Sequence, residues 1–393
     1  MKFFSADFIL PINSDPIPNG IIAVENNVIQ KIGGKSDFES ADIQNFKGII
    51  MPGFINSHCH LELSHMQGLT KTGTKLIPFL SDVVKFRDFE IEVIHNAIER
   101  QDKLMHNSGI QAVGDISNKT DTAAIKDRSK IAYYTFVEIF DFMQEDLTQS
   151  TIDNYTQILD NQSSSGLNKK SFVPHAPYSV SKQLFDYINK TNGDEATISI
   201  HNQETLDEQL LFEKGEGGFY KFYEGFGFHL NNFKPINKGS IYYALEEMEP
   251  KKKNIFVHNT LSTEEDIAAA HHWSEKVYWA TCPNANLFIE NKLPNYKSFL
   301  NQNAKMCIGT DSIASNWQLS IWEEIKTIKK YQSYVPLKEV LKWATINGAE
   351  SLGYENTMGS LEVGKSPGLV NIPLDWKGDQ TDISKSHATR ISD

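Results

Sequence analysis

Between residues 49 and 311 the chain repeats one unit: a short apolar run that stops on a polar residue, then a longer stretch of helical character. That alternation belongs to βα units around a parallel sheet. The runs fall at 49–56, 111–115, 132–138, 172–175, 197–201, 255–258, 277–282 and 305–311. Eight such units predict an α/β fold, a (β/α)8 TIM barrel, which takes about 250 residues. Barrel enzymes assemble their sites at the carboxyl ends of the strands, and most of these runs stop on His, Asp, Glu or Cys. One polar strand end says little, because every strand must leave the core somewhere. Several histidine-bearing ends together with Asp311 carry more weight.

The chain has 393 residues, so a barrel leaves material over. Residues 21–24 and 28–32, joined through Asn26-Asn27, read as a β-hairpin. Residues 358–365 and 369–372 read as short strands separated by glycines. The two termini are therefore expected to build one small β-sandwich domain from 1–50 plus 356–393, with the barrel over 51–355. Residues 211–240 interrupt the alternation with a run rich in Gly, Phe and Tyr. Such a run is too apolar for a solvated tether, and an ordered loop is expected there, as a lid on the barrel mouth or a dimer contact.

A net charge of -12 argues against a nucleic-acid partner, whose phosphates call for clustered Lys and Arg. No apolar run is long enough to span a bilayer, and the N-terminal stretch reaches Asp7 before any signal-like segment forms. Three cysteines without CxxC spacing fit reduced thiols. A cytoplasmic enzyme acting on a small molecule, with a homodimer as one assembly, is the expectation.

In His58-Cys59-His60 the period of a strand sends both imidazoles to one face and Cys59 to the other, so the pair can grip one metal ion. Pro52-Gly53 precedes it and starts the barrel. With that context the segment resembles the opening of the amidohydrolase superfamily, aminohydrolase (deaminase/chlorohydrolase) branch. The resemblance continues in order through 175–181 (HAPYSVS), 198–205 (ISIHNQET), 256–260 (FVHNT) and 308–312 (IGTDS). It implies His58, His60, His201 and Asp311 as ligands of one divalent ion, zinc before ferrous iron, with a coordination position left open. Lys169 and Lys170 lie at the start of the fourth strand, away from where the branch with two ions carries its bridging lysine.

The same resemblance implies attack of metal-bound hydroxide on a ring carbon that bears an amino group. His258 and Asp311 would take the proton from the nucleophile. Glu204, three residues after His201, would protonate the ring nitrogen. His175 and Glu62 would contact the substrate. The run HLELS after the metal pair, a Pro-Phe-Leu helix start at 78–80, Lys85 and Arg87 resemble the aminodeoxyfutalosine deaminase group, which implies an adenine nucleoside as substrate. A cyclic-amide hydrolase or chlorohydrolase on the same metal site, and an inactive barrel used as a binding module, are the competing readings.

Overall fold

A computed structural model describes residues 1–38 and 42–392. Eight parallel strands appear in the predicted order: β1 (Phe54–Cys59), β2 (Ile110–Ser117), β3 (Ala132–Ile139), β4 (Lys169–Pro174), β5 (Thr197–Asn202), β6 (Lys253–His258), β7 (Val277–Thr281) and β8 (Met306–Ile308). They form two four-stranded sheets, β1 to β4 and β5 to β8, each with neighbours in chain order and every pair parallel. At one junction His201 N donates to His175 O at 2.9 Å. At the other, Cys59 and Asp311 form a parallel bridge.

The strands are buried throughout: β1, β3 and β5 have no exposed residue. Continuous burial is the signature of parallel strands covered on both faces, and it explains why their sequences run apolar rather than alternate. One core cluster joins them to the surrounding helices, with Trp279, Trp322 and Trp343 among its largest members.

The first predicted strand, 49–56, divides in two. Ile49–Pro52 pairs with Leu369–Ile372 in a five-stranded sheet that also holds Phe8–Ile9, Ile17–Pro18 and Thr389–Ser392. Gly53 then turns the chain into β1, with its amide bonded to Pro367 O at 3.0 Å. A Cβ at Gly53 would lie 2.7 Å from that carbonyl. Both chain ends thus share one sheet. The hairpin is Ile21–Glu25 with Val28–Gly33, in a second sheet with Lys2–Ser5 and Ile43–Asn45. The strands expected over 358–365 do not form: the segment runs as turns, held beside the hairpin by paired backbone bonds between Ile29 and the Gly364-Lys365 corner.

Helices α1 (Leu76–Phe86), α2 (Leu206–Lys214) and α3 (Phe219–Glu224) lie over the carboxyl ends of the strands. Leu211, Phe212, Phe219, Tyr223 and Leu230 pack with Leu63, Met66, Leu76, Phe79 and Tyr178 in a second core cluster. The aromatic run at 211–240 is therefore an ordered cover, as its composition suggested. Among the described residues, no helix is long and apolar enough to cross a membrane.

Behind β1 sits a fully buried ion pair. Lys126 Nζ lies 2.6 Å from Asp115 Oδ2 and donates to Ser117 and Thr135 at 3.0 Å each, while Asp115 Oδ1 accepts the Leu61 amide at 2.8 Å. Removing one partner of such a pair strands a buried charge at a cost of about 3–5 kcal/mol. Lys126→Met is expected to destabilise the protein by that amount in urea unfolding.

Candidate active site

The carboxyl ends of the strands converge on a cavity of about 360 Å³. His58 and His60 leave β1 on one side, and Cys59 between them is wholly buried in the core. The chain beyond His60 is pinned by the Leu61–Asp115 bond. His201 ends β5 and Asp311 follows β8. Asp311 stays beside the pair because the amides of Thr310 and Asp311 both donate to His58 O, at 2.9 and 3.1 Å.

His60 Nε2 is 3.3 Å from His201 Nε2 and 3.4 Å from Asp311 Oδ1, and His58 Nε2 is 3.8 Å from the same oxygen. Donors about 2.0–2.1 Å from one tetrahedral ion stand about 3.3–3.4 Å apart. His58 is fully buried and neither of its ring nitrogens has a hydrogen-bond partner. Burial, followed by the neighbouring imidazoles His201 and His60, holds its pKa well below the usual histidine value, so it is the neutral imidazole that a metal binds. His201 donates Nδ1–H to His175 O at 2.8 Å, which leaves Nε2 bare toward the cluster. Burial opposes charge on His201, but Glu138 chiefly overcomes it and lifts its pKa to about 9, so a metal ion bound at Nε2 would take the place of a proton. The residues present fit a divalent metal ion.

His258 and Glu204 stand beside that cluster, His258 Nε2 being 3.7 Å from a Glu204 oxygen. His258 Nδ1 bonds Asn286 Oδ1 at 3.0 Å, and Asn286 Nδ2 in turn donates to His258 O and Thr260 Oγ1. Those bonds fix the amide, so Nδ1 of His258 carries the proton and Nε2 faces the cavity. His258 and Asp311 both adopt left-handed backbone conformations, φ 72° and 56°. Strain of that kind costs on the order of 1–3 kcal/mol and persists only where surrounding bonds impose it. Burial drives the Glu204 carboxyl well above its ordinary pKa, and its Oε1 has no partner.

His175 and Glu62 also line the cavity. His175 bonds Ser179 Oγ through Nδ1 at 2.6 Å and lies among Phe140, Tyr178 and His201. Glu62 is engaged by the loop after β2, accepting from the Asn118 amide at 2.8 Å and the Lys119 amide at 3.2 Å, and it meets Arg87 at 3.2 Å. Burial outweighs Arg87 and raises its pKa to about 7. Lys169 bonds the carbonyls of Leu352 and Gly353 at the opposite end of β4 and does not line the cavity. Lys85 lies over the Phe86 ring.

Sequence reasoning missed two polar residues here. Glu138 at the end of β3 lines the cavity, and Asn286 orients His258 from the helix that follows β7. Glu138 carried the strand-end signal but no motif; Asn286 carried none. The outer cavity is apolar, with Phe79, Leu80, Val83, Phe142, Phe222 and Phe226 in its walls.

The model of the Amidohydrolase family matches residues 49–388. The chain belongs to the amidohydrolase family. Among curated amidohydrolase relatives, aminodeoxyfutalosine deaminase of a Nitratiruptor species is 26% identical over 338 residues, covering 83% of this chain and 79% of its own length. The fold superimposes on Helicobacter pylori aminofutalosine deaminase in complex with methylthio-coformycin with a TM-score of 0.82, at 21% identity over 96% of this chain and 93% of that one. It also superimposes on the zinc complex of atrazine chlorohydrolase from Arthrobacter aurescens, with a TM-score of 0.76 at 15% identity, covering 99% and 93% of the two chains.

Chelation is expected to lower the thermal midpoint, and one equivalent of divalent metal to restore it. A ligand at a thousandfold excess over its Kd contributes about 4 kcal/mol. The restoration should weaken as pH falls from about 9, because His201 must give up a proton to bind the ion; differential scanning fluorimetry across pH checks both.

Proposed function

We propose that the protein is a metal-dependent deaminase that releases ammonia from the amino group of an adenine nucleoside, aminodeoxyfutalosine or a related compound of the class named for its relatives. The observation that carries the reading is the buried Glu204 carboxyl, one oxygen without a partner and the other 3.7 Å from His258 Nε2, beside the cluster of His58, His60 and His201. His58, His60, His201 and Asp311 would hold one ion, and three neutral nitrogens with one carboxylate suit zinc ahead of ferrous iron. When bound, such an ion supplies Lewis acidity and lowers the pKa of water.

The residues then divide the proton transfers. Water adds at the ring carbon that bears the amino group, and His258 and Asp311 take up the proton it sheds. Glu204 gives its own proton to the adjacent ring nitrogen, which relieves the charge that builds there. The bond from carbon to the amino nitrogen breaks, the proton held by His258 or Asp311 leaves with it as ammonia, and the hydroxyl left on the ring carbon returns its proton to Glu204 as it becomes the carbonyl. Asn286 keeps His258 in the tautomer that accepts. Phe140, Phe142 and Tyr178 offer ring faces to the base, with His175 on the same wall.

The same reading takes the two four-stranded sheets as one (β/α)8 barrel over 51–355, and residues 1–50 with 356–393 as a β-sandwich domain. The Cys59–Asp311 bridge and the shared terminal sheet support it. Three unpaired, buried cysteines support a cytoplasmic setting.

Purified protein is expected to release ammonia from adenine nucleosides and not from cyclic ureides or chlorotriazines. Preference for either of the latter, or no turnover with metal present, would replace this reading. Glu204→Gln should keep its metal yet lose about 10²–10⁴ in kcat, the usual weight of a general acid. Because burial raises the pKa of Glu204, kcat/KM should fall as pH rises through that pKa and the carboxyl loses its proton.

A further inference from the structure

The general acid of the proposed reaction sits in the turn that leaves β5, and its carboxyl has little to steer it: Glu204 Oε1 has no hydrogen-bond partner, and the other oxygen stands 3.7 Å from His258 Nε2. Its direction is therefore set by the backbone that carries it. On one side that backbone is held by the segment after β6, where Leu261 N donates to Gln203 O at 3.0 Å. Gln203 itself, at a left-handed φ of 46°, accepts from Ser262 Oγ and donates to Asp266 Oδ2. On the other side stands Glu208, which is 1% exposed. Its Oε1 accepts the Gln203 amide and its Oε2 the Glu204 amide, each at 3.0 Å. Ser240 Oγ, at the start of the helix Ser240–Glu247, donates to Oε1 at 2.5 Å.

A glutamate at the third position of a helix is ordinarily a cap, taking the amide of the N-cap residue. In α2 the N-cap is Thr205, yet Glu208 reaches past it to the amides of the two residues before it. We propose that Glu208 is a positioning residue for Glu204, clamping the Gln203-Glu204 backbone so that the Glu204 carboxyl faces His258 and the cavity. The assignment rests on the deaminase reading above. The task needs two acceptors side by side, and an amide in their place would turn an NH2 donor against one of the two N–H groups. Ser240 also closes the aromatic run at 211–240, so the cover over the barrel mouth is tied at both ends, through α2 and through Ser240, to the side chain that sets Glu204. A misplacement of about 1 Å at a reacting group can cost on the order of 10² in rate.

The test is a double-mutant cycle read on ammonia release from adenine nucleosides by the metal-loaded protein, comparing wild type, Glu208→Gln, Glu204→Gln and the double variant. Glu208→Gln is expected to keep its metal and a KM close to that of wild type while kcat falls by about 10- to 10²-fold. In the Glu204→Gln background the same substitution should cost little further, because a residue that acts through Glu204 then has no acid left to position. A cap that only stabilises the fold would lower both backgrounds by the same factor, and that result overturns the proposal. So does a wild-type kcat in Glu208→Gln, or loss of bound metal from it, which would make Glu208 a support of the ligand cluster instead. If Glu208→Gln does not fold, Ser240→Ala, which removes one of the three bonds to the carboxyl, goes through the same cycle. A smaller loss of kcat confined to the background that retains Glu204 is then expected, and equal losses in both backgrounds, or none, overturn the proposal. No wild-type turnover of any adenine nucleoside overturns the deaminase reading and this assignment together, whereas the other adverse outcomes overturn this assignment alone.

Discussion

The carbonyl of His58 accepts both the Thr310 and the Asp311 amides, and the site depends on that pair of hydrogen bonds. It brings the last strand of the series against the first, so that residues 253 positions apart in sequence deliver His58 and Asp311 to one point. Asn56 reinforces the junction, accepting from Thr310 N at 3.1 Å and donating to Thr310 Oγ1 at 2.8 Å. The neighbourhood tolerates no bulk. A Cβ on Gly309 would come within 2.8 Å of His58 O and 2.9 Å of Cys282 Sγ. The His58 carbonyl, with the local bonds from Ser315 and Thr310, holds Asp311 at its positive φ.

Electrostatics follow from that convergence. Burying five imidazoles with Glu138, Glu204 and Asp311 cannot leave every group in its ordinary state. Burial pushes the pKa of His58 down and that of Glu204 up, each toward its neutral form, whereas neighbouring imidazoles outweigh desolvation at Asp311 and Glu138 and hold their carboxyls below the usual value. Carboxyls within one cavity are thus shifted in opposite directions, which is how an acid and an acceptor coexist at one pH. The split tracks contact: Asp311 meets His60 at 3.4 Å and takes the Ser315 hydroxyl, while Glu204 is 3.7 Å from its nearest imidazole and one oxygen is bare.

How much of this the sequence disclosed depends on whether a feature repeats locally. Strand order was legible because each βα unit carries its own apolar run and polar stop, and His58 and His60 because a strand's period is two. The break at Gly53 was not: residues 49–56 are apolar almost throughout, and only pairing with 369–372 assigns the first half to another sheet. Residues 358–365 have the glycines and apolar spacing of strands, but their partner at Ile29 offers a two-bond corner rather than a ladder. Asn286 lay beyond reach, since nothing in a helix sequence announces that one amide will meet a histidine 28 residues earlier.

Glu138 shows the limit most sharply, because it ends a strand as His175 and His201 do and still reads as an ordinary polar stop. Its meaning lies in a competition invisible in sequence: the His201 proton has two acceptors within reach, the His175 carbonyl at 2.8 Å and Glu138 at 3.2 Å, and the carbonyl takes it. The carbonyl fixes which ring nitrogen of His201 faces the cluster, and the carboxylate behind it adds negative charge that favours a cation there. The backbone bond from His201 N to His175 O, which sets where that carbonyl lies, therefore also sets how a side chain on β3 bears on the site.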